Sequence, residues 1–174
     1  MEFTKEQNKK LCEKYPFLIP SNRWSGKRIT EAQDGGYWLG SPDDVPGYDY
    51  EYTELDYMPT GWRIAFGEQL CEELKHALEE DGLMDEYRIT QIKEKYGTLR
   101  WYDSYGSAKT DAVLRKYEAM SRHICINCGK PAEFVTWNWI SPYCVDCCPV
   151  NDRLRPIEDW LSTFEDYEPE DDDG

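Results

Sequence analysis

Five of the seven cysteines fall within 24 residues, "CINCGKPAEFVTWNWISPYCVDCC" (125–148), and no other feature restricts the fold so strongly. Cys125 and Cys128 make one C-x2-C pair and Cys144 and Cys147 a second, with fifteen residues between them. That spacing is the one expected of a four-thiolate metal site. Two residues between thiolates let a tight turn aim both sulfurs at one ion, and Gly129 relaxes the exit from the first turn. The intervening "EFVTWNWI" reads as a strand that brings the second pair back, with Trp137 and Trp139 on the face of Val135 as core residues. Zinc, which favours four such ligands in a tetrahedron, is the expected ion. A redox C-x-x-C would need a neighbouring βαβ pattern, which the sequence lacks. Cys148 competes with Cys147 as fourth ligand, at a less common three-residue spacing.

The cluster reads as a structural clip. A catalytic zinc keeps three protein ligands and an open position, whereas four thiolates fill the shell. The zinc-deaminase pattern needs H-x-E and P-C-x-x-C; "SPYCVDCC" misplaces the proline, and H-x-E is absent. A histidine-based nuclease finger would place histidines near the metal loops, and neither His76 nor His123 lies between the two pairs. The clip fastens a module too small to be held by apolar burial alone. A helix-like "RPIEDWLSTF" after the second pair suggests a treble-clef type of finger rather than a plain ribbon, the ribbon type being the alternative.

Upstream, "TKEQNKKLCEKY" reads as a short helix with Leu11, Cys12 and Tyr15 on one side, stopped by Pro16. The spacing predicts a longer helix over 61–81, where Phe66, Leu70, Leu74 and Leu78 recur every fourth residue. Thr60 is expected to cap its start and Gly82 to supply a left-handed stop. "YRITQIKEK" and "TLRWYD" around Tyr96-Gly97 read as a hairpin. A second helix over about 108–122 carries Val113, Leu114, Tyr117 and Met120 on one face and leads into Cys125. The expected class is α+β: a helix–β-hairpin–helix centre with a small antiparallel sheet and a C-terminal four-cysteine finger. The expected divisions are an N-terminal helix and connector (1–33), an acidic aromatic segment (34–58), the centre (59–122), the finger (123–164) and an acidic tail (165–174). No apolar run approaches the roughly 18 residues that cross a bilayer. The start, "MEFTKEQNKKLCEKYPF", has no signal-peptide pattern, so the expected location is cytoplasmic.

The formal net charge of −15 is unevenly placed. Residues 34–56 hold seven acids and residues 165–174 another seven, with no Lys or Arg in either. The rest of the chain is near neutral. Such segments oppose direct binding to phosphate backbones and favour a basic partner. Within the first, "YDYEY" alternates rings and carboxylates as a strand would, with Tyr48, Tyr50 and Tyr52 on one face. Asp49 and Glu51 would then stand about 6.5–7 Å apart, comparable to neighbouring phosphates of a nucleic-acid strand. Asp43, Asp44, Asp49, Glu51, Glu54 and Asp56 are therefore candidate partner-binding residues. The plainer alternatives are an acidic solubilising loop and a solvated tail.

Residues 88–122 run the other way, with eight bases and four acids. Lys93, Lys95 and Arg100, interleaved with Tyr96, Trp101 and Tyr102, form a candidate nucleic-acid surface; the plain alternative is a charged solvent face over core rings. Asp85 upstream of Gln91-Ile92-Lys93 has the outline of a magnesium nuclease, with Gln in place of the expected acid.

"ITQIKEKYGTLRWY", followed by a helix and "CINCG", resembles small uncharacterised proteins of bacterial and phage genomes that share an IKEKxGxLRxY hairpin and a four-cysteine finger. The likeness covers about residues 61–147. It implies a phage or mobile-element setting, hence the cytoplasm of a host cell, and carries no activity or catalytic residue with it. The acidic insert and tail lie outside the shared pattern. The functional expectation is a zinc-stabilised acidic binding or inhibitor protein. It would act on a basic nucleic-acid-handling protein as a nucleic-acid mimic of the anti-defence type, as an anti-CRISPR protein does. A nucleic-acid-binding finger module and a metal-dependent nuclease are the alternatives.

Overall fold

The computed structural model of the chain describes residues 3–21, 28 and 48–165. The first helix, α1 (Lys5–Lys14), begins at a capping box: Thr4 Oγ1 accepts from the Gln7 N–H at 3.2 Å while Gln7 Oε1 accepts from the Thr4 N–H at 2.8 Å. Pro16 follows Tyr15 and starts a single 3₁₀ turn, Pro16–Leu18. Cys12, Tyr15, Phe17 and Leu18 are all buried, so this corner forms one wall of the core.

The long central helix is interrupted. It opens as α2 (Thr60–Trp62), passes through a π-helical turn at Arg63–Gly67 and continues as α3 (Glu68–Asp81). Pro59, not Thr60, occupies the capping position, and no side chain caps there. The expected stripe is real: Phe66, Leu70, Leu74 and Leu78 are buried. Gly82 ends the helix with φ +67, the left-handed stop expected of it.

Strands β1 (Arg88–Lys95) and β2 (Thr98–Ser104) form the hairpin, with Lys93 opposite Arg100 and Lys95 opposite Thr98. Tyr96 and Gly97 both take positive φ (53° and 75°), the two-residue turn whose twist suits paired strands. A bulge between Ile89 and Gln91 shifts the register. Helix α4 (Ala108–Ser121), capped by Ser107, packs on α3 and β2 and buries Tyr117. The Ser121 hydroxyl accepts from the Leu99 N–H at 2.9 Å, tying helix to strand. These parts enclose one core around Trp62, Tyr15, Tyr87 and Tyr117.

The C-terminal module holds a second sheet, ordered β4 (Pro142–Tyr143), β3 (Phe134–Thr136), β5 (Leu154–Pro156), all antiparallel. Helix α5 (Ile157–Glu165) follows it. The architecture is α+β, with two small antiparallel sheets among the described residues and the cysteine cluster at the C-terminal end. No helix among them is long and apolar enough to cross a membrane.

Two further sequence expectations fail here. The "YDYEY" run is not a strand: Tyr50 has φ 61° and the chain bends there. Tyr50 and Tyr52 instead gather around the Tyr48 ring, at 4.7 and 6.2 Å between centroids. The evenly spaced carboxylate row that an extended strand would give is therefore lost. Strand β3 is also shorter than expected and stops at Thr136. The Thr136 hydroxyl donates to the Trp139 carbonyl and closes a turn just where Trp137 would have continued the strand. As a result Trp137 and Trp139 are not core residues; they are 48% and 75% exposed.

Candidate metal centre

Four sulfurs, those of Cys125, Cys128, Cys144 and Cys147, lie within 4.8 Å of one another and form a set that can hold one metal ion. Cys128 Sγ and Cys144 Sγ approach to 3.5 Å. The set contains Cys147 and not Cys148, which settles the choice between neighbours.

Each pair sits on a tight turn. In the first, the Gly129 N–H reaches the Cys125 carbonyl at 3.1 Å and the Cys125 N–H reaches the Lys130 carbonyl at 2.7 Å. Gly129 has φ +79, and a Cβ there would stand 2.8 Å from the Gly61 carbonyl oxygen. Glycine is thus required twice, for the turn and for the close approach. The second pair lies on the 3₁₀ turn Val145–Cys147, where the Cys147 N–H reaches the Cys144 carbonyl at 3.1 Å. Lys130 and Asp146 pair across the two turns at 2.7 Å. Strand β5 intervenes before the helix that follows, so α5 carries no ligand.

Burial is the largest influence on the Cys125 thiol and pushes it up. Backbone N–H groups of Cys144, Cys128 and Asn127 outweigh it and bring the thiol down to about 7. Cys147 is driven the opposite way, to about 12, by its hydrogen-bonding neighbours Cys128 and Cys144 and then by burial. Thiolates crowded this closely repel one another. A cation at their centre is what allows all four to ionise together.

The cluster is joined to the core at a place that periodicity does not reveal. The Gly61 N–H donates to the Ile126 carbonyl at 2.8 Å, and Trp62 Nε1 donates to the Ile124 carbonyl at 3.0 Å. A Cβ on Gly61 would sit 2.6 Å from the Ile126 carbonyl carbon and closer still to the Cys125 carbonyl oxygen. The start of α2 and the first cysteine turn are in backbone contact, with Trp62 fully buried between them and the core.

The candidate acids divide. Asp43, Asp44 and the acidic tail beyond residue 165 lie outside the described residues. Asp49 pairs with Lys5, and Asp49 and Glu51 are exposed. Glu54 is 93% buried. Asp56 works internally: its Oδ2 accepts from the Thr53 N–H at 2.6 Å, and its Oδ1 pairs with Arg63, whose side chain is only 5% exposed. Glu54 is therefore buried in the fold, whereas Asp56, though engaged by Thr53 and Arg63, stays exposed on one side.

Lys93, Lys95 and Arg100 share the face of the hairpin opposite Ile92 and Leu99. Arg100 is engaged by Glu118. Lys93 donates to Gln91 Oε1 at 2.7 Å and lies 5.2 Å from the Tyr102 ring; Lys95 lies 5.6 Å from the Tyr96 ring. Asp85 stands in the turn before β1, where its backbone carbonyl accepts from Arg88. The four cysteines are the group found among the described residues that could hold a metal, and Asp85 belongs to no such group. His76 and His123 are exposed and stand outside it too. Comparison with protein-family models, with curated proteins and with solved structures finds no match to this chain.

Proposed function

We propose that this chain is a binding protein braced by a structural zinc ion, presenting fixed acidic groups to a basic protein that handles nucleic acid and inhibiting it by occupying its phosphate-binding surface. Zinc suits the site because a tetrahedron with about 2.3 Å metal–sulfur bonds has edges of about 3.8 Å, close to the spread of the four sulfurs. A full shell of thiolates leaves the ion with a bracing task and no position for substrate.

The observation that carries the acidic reading is the anchoring of residues 48–56. Asn8, almost wholly buried, donates through Nδ2 to the carbonyls of Tyr50 (3.0 Å) and Glu51 (3.3 Å). Tyr48 lies 3.7 Å from the Cys12 sulfur. Asp49 is held by Lys5 and turns one oxygen to the Glu51 N–H at 3.1 Å. A carboxylate fixed as that of Asp49 is, on backbone held by Asn8, loses less entropy on binding than one on a free loop. Asp49 and Glu51, with Asp43 and Asp44 of the same acidic run, make the proposed contact set; Glu54 is buried, and Asp56 braces the segment through Thr53 and Arg63. Recognition rests on charge and anchored shape, because the regular phosphate-like spacing is absent.

The test is capture from cell lysate with the intact chain and with a D43N/D44N/D49N/E51Q variant, at about 50 and 300 mM salt, with captured proteins identified by mass spectrometry. A basic nucleic-acid enzyme held only by the intact chain, and released by the higher salt, is the expected result. Capture that ignores both salt and the four substitutions would refute the reading.

A further inference from the structure

The junction of the hairpin tip and the finger carries a surface of a different character from the acidic segment. Gly97 in the hairpin turn is seated against the finger: a Cβ there would stand 3.0 Å from the Trp160 ring and 3.1 Å from Ile140 Cγ2. Glu94 clasps the joint, with Oε1 accepting from the Gly97 N–H at 2.6 Å and Oε2 from Trp139 Nε1 at 3.3 Å. Trp139 is thereby fixed at the turn with most of its ring in solvent.

Two residues before Trp139, the ring of Trp137 has the Arg153 guanidinium 4.4 Å from its centroid and that of Arg155 at 5.3 Å. The Trp137 N–H donates to the Arg153 carbonyl at 2.9 Å, which fixes the pair in register. Among the described residues, Lys93, Lys95, Arg153 and Arg155 form no ion pair, whereas Arg100 and Arg122 are taken up by Glu118. Arg155 Nε is buried without a hydrogen-bond partner.

Held, outward-facing rings next to cations without carboxylate partners are the components of a stacking platform for unpaired bases. The rings take the faces of successive bases, and the cations take the phosphates between them. A duplex offers its bases only at their edges, so the platform does not fit one. We infer that the surface formed by Trp137, Trp139, Arg153 and Arg155 binds single-stranded nucleic acid with little sequence preference. It is separate from the acidic contact set and stands independently of the proposed protein partner.

The experiment uses the full metal-loaded chain and fluorescein-labelled 15-mers of oligo(dT) and oligo(U), with a 15-bp duplex as control, read by anisotropy and tryptophan quenching in about 50 mM salt. Both single strands are expected to bind and quench, the duplex to bind much more weakly. Preference between DNA and RNA reports any contact with the 2′-hydroxyl. Trp139→Ala is expected to weaken binding about five- to hundred-fold, the range for one lost base stack, while Trp139→Phe retains most of it. Arg153→Gln with Arg155→Gln lowers the dependence on salt. Asp49→Asn with Glu51→Gln leaves single-strand binding unweakened, so failure here and failure of the acidic reading are distinguishable. Absence of binding by either single strand, equal binding of the duplex, or full affinity in a folded Trp139→Ala variant would overturn the inference.

Discussion

Gly61→Ala sets two effects of opposite sign against each other, and the structure decides between them. Alanine is the better helix former by about 1 kcal/mol, so propensity alone favours the variant. The added Cβ would stand 2.6–2.7 Å from the Ile126 carbonyl group, against backbone that cannot swing aside as a side chain would. Helix start and cysteine turn must part by roughly 1 Å, an overpacking cost of about 1–3 kcal/mol. That separation also stretches the Gly61–Ile126 and Trp62–Ile124 hydrogen bonds, now 2.8 and 3.0 Å, beyond useful length. Each of them contributes about 1 kcal/mol net. The balance is a loss of about 2–4 kcal/mol, a substantial part of the 5–15 kcal/mol typical of a domain. For a chain of this size it lowers the melting temperature by about 4–16 °C. Calorimetry of Gly61→Ala beside Gly82→Ala tests it. Gly82 has open space around it but φ +67, so its variant loses only the roughly 1–2 kcal/mol of left-handed strain. Only Gly61→Ala should also speed metal release to a chelator. A Gly61→Ala protein that melts at or above the parent temperature and holds its metal equally well would refute the docking of helix onto cysteine turn.

Chelation should strip hydrogen-exchange protection from amides of residues 125–147 while α3 stays protected, as measured by exchange mass spectrometry, because the finger has little apolar core beyond Val135 and Trp160. Asp56→Ala should cost about 3–5 kcal/mol in urea titration, since it leaves the buried Arg63 charge unpaired; Asp49→Asn should cost little, its carboxylate being exposed. Asp103 has its carboxyl raised above the ordinary range, chiefly by burial, partly offset by the Tyr87 hydroxyl. The folded state therefore holds that proton more tightly than the unfolded chain. The associated stability is present below the unfolded pKa and is lost as pH rises through the folded one. Asp103→Asn should accordingly gain melting temperature at pH 7 relative to the parent and gain less at pH 4.

The parts legible in the sequence are those whose cause is local. Leu70, Leu74 and Leu78 announce α3 by spacing, Tyr96-Gly97 announces the hairpin by turn chemistry, and the paired C-x2-C motifs announce the sulfur cluster. What escaped depends on contacts between distant residues. Gly61 and Trp62 look like an ordinary helix start, yet their partners are carbonyls more than sixty residues away. The glycine before a tryptophan was the available signal, since a Gly in the first turn of a helix invites the question of what lies against it. Trp137 and Trp139 seemed bound for the core because alternation was continued past Thr136; a hydroxyl closing a turn ended it. Alternation likewise misled at "YDYEY", where Asn8 captures two consecutive carbonyls and bends the chain that a strand would need straight. Glu54 carries charge in the sequence as visibly as Asp49 does, but only packing reveals that it is buried.

X-ray absorption at the metal edge of the purified protein tests the bracing role most directly. A bracing ion is expected as one zinc per chain with four sulfur scatterers at about 2.3 Å and no lighter atom in contact with the metal. Three sulfurs with an oxygen or nitrogen neighbour would contradict it, because an ion with an exchangeable position is equipped for chemistry.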